Sequence, residues 1–294
     1  MQRAIANQQM LDRPIIILGA ARSGTTLLGD ILSQHPAIAY WVEPRYIWRY
    51  RNPTANTDRR AVDEATPEVK RYIRSKFASF VASCPGSRFM EKTPSNCFRV
   101  PFIHAVFPGA RFVHLIRDGR DVVFSARRKW TSPPKKAALW RRLSTLEIPL
   151  RDLPFYLTDF LRDVIGRQLY PDKGYLWGPH VEGLRAIKAQ HGVLQACAVQ
   201  WRESIRAARE GLTDVPGHQQ HCVQFEQLVA DPGTVLQELL SFAELSPCPS
   251  VQLYARDIIE PDAAHRWSHQ HSSREVQEVL PMMREELQAM GYAG

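Results

Sequence analysis

The sequence predicts an α/β fold of three layers, a central parallel sheet flanked by helices, with a helical insertion. Two observations carry this. Over the first 130 residues, short apolar runs alternate with stretches of helical period. Strands that alternate with helices imply a parallel sheet covered on both faces. The composition agrees: of 294 residues, 44% are hydrophobic and 23% charged, ordinary values for a chain that buries a sizeable core. These values exclude a disordered chain and a collagen-like fibre. No stretch reaches the roughly 18 apolar residues that a membrane helix needs. The opening MQRAIANQQMLDR is too polar for a secretory signal. A cytoplasmic location is therefore expected.

The elements follow in order. Residues 14–19, PIIILG, form an apolar run ending in glycine, as a buried parallel strand does. Residues 25–34 read as a helix with Leu27, Leu28, Ile31 and Leu32 on one face, and His35-Pro36 stops it. Residues 88–92 read as a second strand and 98–107 as a second helix. Residues 111–116, RFVHLI, form a third strand, and a helix follows from about 120 to 129. Later, 193–210, 235–243 and 274–290 read as helices and 221–225 as a strand. No internal repeat or low-complexity linker divides the chain, so one domain over 1–294 is expected. Residues 131–191 break the rhythm. They open with Pro133-Pro134-Lys135-Lys136 and hold an apolar helical stretch at 155–170, so they read as an insertion or lid.

The 38 basic and 30 acidic residues give a net charge of +8, which implies an anionic partner without naming it. Residues 127–142 hold seven basic residues and no acidic one, with Trp130 and Trp140 among them. Two readings of this stretch stay open: a solvated basic face, or a contact with anionic membrane lipid or a lipid-linked acceptor. Five cysteines, at 84, 97, 197, 222 and 248, include no CxxC pair. That argues against structural zinc or a disulfide framework, and for free, mostly buried thiols. His265, His269 and His271 lie close in sequence, but no cysteine is near and the segment is loop-like, so no metal site is expected.

Two patterns carry chemistry. Gly19-Ala20-Ala21-Arg22-Ser23-Gly24-Thr25-Thr26 has the spacing of a phosphate-binding loop and lies between a strand and a helix. Backbone N–H groups of such a loop and of the following helix form an anion cradle. Thr25 stands where a nucleotide triphosphatase has lysine, so the cradle lacks its usual partner for a β/γ-phosphate. The second pattern starts at Arg117, directly after the 111–116 strand, with Ser125 eight residues on. A strand-end arginine and a serine two turns into the next helix can converge on one phosphate. By itself, Arg117 also reads as the ion-pair partner of Asp118 or Asp121.

Together, RSGTT at 22–26 and the arginine-x7-serine of Arg117 and Ser125 resemble the sulfotransferases that use 3′-phosphoadenosine-5′-phosphosulfate (PAPS). Glu91-Lys92-Thr93-Pro94 resembles that family's lysine-bearing strand, and FEQLV at 225–229 with Asp231-Pro232 its late strand-to-helix segment. Trp201 and the tail at 267–292 also fit. Trp177-Gly178-Pro179 is similar to a segment of some bacterial carbohydrate sulfotransferases. HPAIAYWVEPR, PGARFVHLIRDGRDVVFS and VQFEQLV are most similar to the tyrosylprotein-type branch.

The resemblance implies a phosphate-loop α/β fold and transfer of a sulfonyl group from PAPS to an acceptor hydroxyl or amine, leaving adenosine 3′,5′-bisphosphate (PAP), with no metal. It implies that Arg22, Ser23, Gly24, Thr25 and Thr26 hold the 5′-phosphosulfate and that Arg117 and Ser125 hold the 3′-phosphate. Arg128 or Lys129 would add charge there, and Arg256 or Arg266 would contribute from the C-terminal side. Arg22 and Lys92 would stabilise charge on the leaving oxygen. Strand alternation turns Glu91 away from the face of Lys92. Glu43, 21 residues after Arg22, matches the branch's catalytic base, and Arg45 a substrate-side arginine. Small-molecule members carry a histidine where this chain has Pro94, which argues against a histidine base. Phe225 stands in place of a tyrosine whose hydroxyl helps hold the donor. The acceptor stays open among carbohydrate, lipid, other small alcohols and tyrosine, and so does the oligomeric state. The rival readings are a phosphate-loop kinase or other NTP-binding protein, which the missing lysine opposes, and a basic nucleic-acid- or membrane-binding module. No nucleic-acid motif is present, so no nucleic-acid partner is expected.

Overall fold

The structure is a computed structural model that describes residues 11–52, 57–131, 176–267 and 272–292. The chain runs β1 (Ile15–Leu18), α1 (Thr25–Leu32), β2 (Ile38–Val42), α2 (Arg45–Trp48), α3 (Pro67–Ala82), β3 (Arg88–Lys92), α4 (Val100–Val106), β4 (Arg111–Ile116) and α5 (Gly119–Thr131). It continues through α6 (Leu184–His191), α7 (Val193–Leu212), β5 (Gln220–Gln224), α8 (Phe225–Ala230), α9 (Pro232–Phe242), α10 (Pro249–Ile258) and α11 (Ser273–Ala289). The five strands form one sheet in the order β2-β3-β1-β4-β5, and every pairing is parallel.

Alternation along the strands supplies two cores. Ile16, Leu18, Phe89 and Phe112 pack on one face with residues of α3 and α4. Ile15, Ile17, Met90, Val113 and Leu115 pack on the other with α1, α9 and α10. Period-two alternation requires this division, because successive side chains point to opposite faces. A third cluster joins α5, α7 and α11 around buried Trp201. The expected three-layer architecture is therefore observed.

β1 and β4 are neighbours, yet the chain leaves β1 toward β2 on one side and leaves β4 toward β5 on the other. Their carboxyl ends thus border the point where the strand order reverses, which is where open α/β sheets bind ligands.

Several elements differ from expectation. β2 is not among the expected strands; it is an outer strand, in register with β3 at Val42 and Lys92. α3 and α10 were also unread. α3 begins at Thr66, whose hydroxyl accepts from Val69 N at 3.4 Å, and Pro67 follows. The expected 98–107 helix is observed as α4, Val100–Val106, and a 3-10 turn at Pro94–Phe98 precedes it. Phe225 starts α8 instead of ending a strand. Of the expected insertion, residues 132–175 lie outside the described residues, as does most of the basic 127–142 stretch and the helix at 155–170. Among the described residues no helix is long and apolar enough to cross a membrane.

Candidate active site

The loop after β1 is shaped by its own backbone. Ser23 donates both its N–H, at 3.1 Å, and its hydroxyl to the Ala20 carbonyl. Arg22 lies at φ 79° and Gly24 at φ 95°. Gly24 must be glycine: a Cβ there would stand 2.5 Å from the Phe225 ring. The Phe225 ring thus fills the space above the loop, in place of the expected tyrosine's hydroxyl role. α1 then starts without a side-chain cap, leaving its first amides available to an anion.

Across the β1–β4 boundary, Arg117 lies with its guanidinium 4.2 Å over the Phe225 ring. Its Nη2 donates to the Ala263 carbonyl at 2.6 Å and stands 3.5 Å from Asp121. The ion pair that sequence alone allowed is therefore present, and it is compatible with a place on the cleft wall. Ser125, in α5, accepts from Arg22 Nε at 3.1 Å. The two sequence patterns, 103 residues apart at Arg22 and Ser125, meet in a single cleft of about 350 Å³.

The ends of β2 and β3 add further residues to the cleft wall. Because Val42 pairs with Lys92, the next residue, Glu43, stands beside the lysine, and Glu43 N donates to the Lys92 carbonyl at 2.9 Å. Glu43 turns at φ 55°, and its carboxylate bridges two cations. Oε1 accepts from Lys92 Nζ at 2.8 Å, and Oε2 meets Arg45 at 2.8 Å. The Lys92 side chain is 3% exposed, so it is no solvated strand end. Glu91 points to the opposite face as expected. It is fully buried and accepts from Thr93 Oγ1 at 2.9 Å and from Asn96 Nδ2. Burial pushes its carboxyl up to about 7.

The cleft carries six cations, Arg22, Arg45, Lys92, Arg117, Arg128 and Arg266, against the carboxylates of Glu43 and Asp121. Arg22 has its pKa lowered, first by burial and then by the nearby charges of Arg117 and Arg128. Like charges gathered in a half-buried space hold free energy that an anion of more than one charge releases.

The structure sorts the expected residues. Arg22, Gly24, Thr25, Thr26, Glu43, Arg45, Lys92, Arg117 and Ser125 all line the cleft. Ser23 does not; its hydroxyl and N–H are both spent inside the loop, so it shapes the cradle instead of facing a ligand. Arg266 and Arg128 are on the wall, whereas Arg256 and Lys129 are not. Of the five free cysteines, only Cys97 and Cys197 are buried, and Cys222 is exposed, which corrects the expectation of mostly buried thiols. His269 and His271 lie outside the described residues; among those described, no group of three His, Cys, Asp or Glu side chains is placed to hold a metal. Sequence reasoning missed Leu27, Phe124 and Asp121 as cleft residues. The periodicity of α5 could have placed Asp121 beside Ser125, one turn away.

Residues 14–153 match the family model described as Sulfotransferase family, a span that includes Arg22, Glu43, Lys92, Arg117 and Ser125. Nodulation protein NoeE of Sinorhizobium fredii (strain NBRC 101917 / NGR234) is 26% identical over 132 residues, 40% of this chain and 32% of that protein. Protein-tyrosine sulfotransferase 1 of Danio rerio is 30% identical over 128 residues, 39% of this chain and 35% of that protein. The match thus spans about a third of the length of these curated relatives. The structure is similar to the sulfotransferase domain from the curacin biosynthetic pathway, with a TM-score of 0.56, 14% identity, and coverage of 96% of this chain and 99% of that one. The fold is therefore the sulfotransferase fold. Over residues 14–153 the chain is similar to the sulfotransferase family, as the motifs implied.

Proposed function

We propose that the cleft binds PAPS and moves its sulfonyl group to an acceptor hydroxyl, that of a carbohydrate, a lipid or another small alcohol. The observation that carries this reading is the meeting of the lysine-free phosphate loop with Arg117 and Ser125 in one cationic cleft. A donor with phosphates at two positions of one nucleoside matches two anion anchors a short distance apart. The family match over 14–153 supports the same reading.

The roles follow from position. The loop and the α1 N-terminus, with Arg22, Gly24, Thr25 and Thr26, hold the phosphosulfate end. Arg117 and Ser125 hold the 3′-phosphate, with Arg128 near them. The donor supplies an activated sulfonyl group on a phosphate leaving group. Glu43 takes the acceptor's proton as the acceptor oxygen bonds to sulfur. Lys92 and Arg22 receive the charge that grows on the phosphate oxygen as its bond to sulfur breaks. Preorganised cations in a dry cleft stabilise that charge without reorganisation. Arg45, paired with Glu43, faces the acceptor.

Calorimetry with PAP, with and without magnesium, tests the reading. Binding that needs no magnesium is expected, followed by transfer of label from PAPS to members of an alcohol panel. Magnesium-dependent binding of ATP or GTP with no PAP binding would show an NTP-binding protein instead. Salt-dependent capture of DNA or of anionic vesicles without PAP binding would assign the charge to those partners.

A further inference from the structure

One short loop on the cleft wall is held in place by side chains that themselves lie outside the cleft. Trp177 and Gly178 line the wall. Behind them, Gln200 of α7, 4% exposed, donates Nε2 to the carbonyls of Trp177 at 2.9 Å and Pro179 at 2.8 Å. Gly178 turns at φ 87°, and a Cβ there would stand 2.9 Å from Gln200 Oε1, so a side chain would lever the loop off its anchor. On the other flank, His180 N donates to Asp58 Oδ2 at 2.8 Å, and Asp58 N donates to the His180 carbonyl at 3.1 Å.

Asp58 is itself fixed. Ser95 Oγ donates to it at 2.7 Å, and Arg99, 1% exposed, stands at 3.9 Å. Desolvation opposes the charge on Asp58, and Arg99 with its hydrogen bonds outweighs that, holding its pKa below the usual range. A buried ion pair is weak evidence for stability, and its best-attested use is to select one geometry among several. The geometry selected here is that of the loop. Ser95 directly follows Pro94, which lies on the wall two residues from Lys92. The tether therefore ties the loop's backbone to the Lys92–Glu43 part of the cleft wall. The Trp177 ring is backed by the cluster of α5, α7 and α11. The half-buried Trp177 side chain is thus held in a fixed place on the wall, at low cost in side-chain freedom.

We propose that Trp177 is the acceptor wall, that it takes a flat ring of the acceptor (an arene or the C–H face of a pyranose), and that Asp58 and Gln200 are its positioning residues. This inference rests on the sulfonyl-transfer reading of the cleft. It narrows the acceptor from any alcohol to one that bears a ring near the reacting hydroxyl.

The test compares wild type with Trp177→Ala, Asp58→Asn and Gln200→Leu. Each is assayed for transfer from labelled PAPS to phenols, methyl glycopyranosides and straight-chain alcohols, and titrated with PAP by calorimetry. Trp177→Ala should raise KM for ring acceptors about tenfold, the upper range of aromatic contacts, and by clearly more than it raises KM for straight-chain acceptors, with PAP affinity retained. Asp58→Asn and Gln200→Leu should raise the same KM in the same direction with little change in kcat. Two positioning variants are used so that a failure of one to fold leaves the other to decide. If both lower the melting temperature but leave ring-acceptor KM alone, the loop is merely structural and the positioning role is wrong. If Trp177→Ala weakens PAP instead, the wall belongs to the donor and the inference is overturned. If wild type transfers to ring and chain alcohols with equal KM, the ring preference is also refuted. A wild type that neither binds PAP nor transfers removes the proposed function itself, and this inference with it.

Discussion

Substituting Glu43 by glutamine should tighten donor binding while slowing transfer. Without ligand, the Glu43 carboxylate holds Lys92 Nζ at 2.8 Å, and the lysine is only 3% exposed. A donor phosphate that uses Lys92 must share it with Glu43, whose negative charge also repels the anion. A hydrogen bond to a charged group contributes about 1.5–3 kcal/mol. Glu43 is 26% exposed, so water weakens the pair and the lower part of that range applies. Glutamine keeps the shape and leaves a weaker ion–dipole contact, which returns roughly 1–2 kcal/mol to donor binding, about 5- to 30-fold in Kd. The ligand-free variant should be less stable than wild type, since a buried ammonium has lost its carboxylate. PAP should then raise its melting temperature by more than it raises that of wild type. Loss of the base lowers transfer by roughly 10²–10⁴-fold. Calorimetry with PAP, melting curves with and without PAP, and initial rates with labelled PAPS measure the three effects. Near-normal turnover in Glu43→Gln would reject the base assignment. Unchanged or weaker PAP binding would reject the competition for Lys92.

Arg117→Ala should weaken PAP binding by about 10- to 150-fold, the value of one charge-assisted contact, as read by calorimetry. An unchanged Kd would remove Arg117 from the donor site. Gly24→Ala combines a left-handed backbone with a Cβ 2.5 Å from the Phe225 ring, so urea denaturation should show a loss of about 1–3 kcal/mol. Stability equal to wild type would show that the ring yields freely. The pH dependence should contain two opposed slopes. The native state holds the Glu91 proton up to about 7 while the unfolded chain releases it near 4.5, so this group makes stability fall as pH rises between those values. Burial depresses His114 to about 4 from 6.5, so that group makes stability fall as pH drops from 6.5 to 4. Glu91→Gln should remove the fall in stability between about 4.5 and 7 in urea denaturation, and a profile parallel to wild type would contradict the burial argument.

What the sequence made legible follows from where each signal lives. β1 reads as an unbroken apolar run and β4 as one interrupted only by His114 after its opening Arg111, and the phosphate loop and the Arg117–Ser125 spacing are local patterns. β2, IAYWV, was readable in principle, since its β-branched and aromatic residues lie between Pro36 and Pro44, but its burial fades from Ile38 to Val42 and blurs the alternation. α3 was readable in principle: Val69, Ile73, Phe77 and Val81 recur every fourth residue behind a Thr-Pro cap. Ser23 fits the motif by spacing, but spacing does not say which way a side chain turns. Asp58 and Gln200 carry no local signal, because their role exists only once distant segments meet.

The backbone adds an argument that spacing cannot. Five described non-glycine residues sit at positive φ, and two of them are Arg22 and Glu43, which both line the cleft. Glu244 has an ordinary reason, since it terminates α9, where left-handed residues are common. Arg22 and Glu43 follow strands, not helices, and glycine at either place would avoid about 1–3 kcal/mol of strain. Fold stability alone therefore favours glycine at both positions, and the charged side chains found there oppose it. What glycine cannot provide is a guanidinium at the phosphate loop or a carboxylate on Lys92. The strain is thus explained by the chemistry of the two side chains and not by the packing of the sheet that presents them.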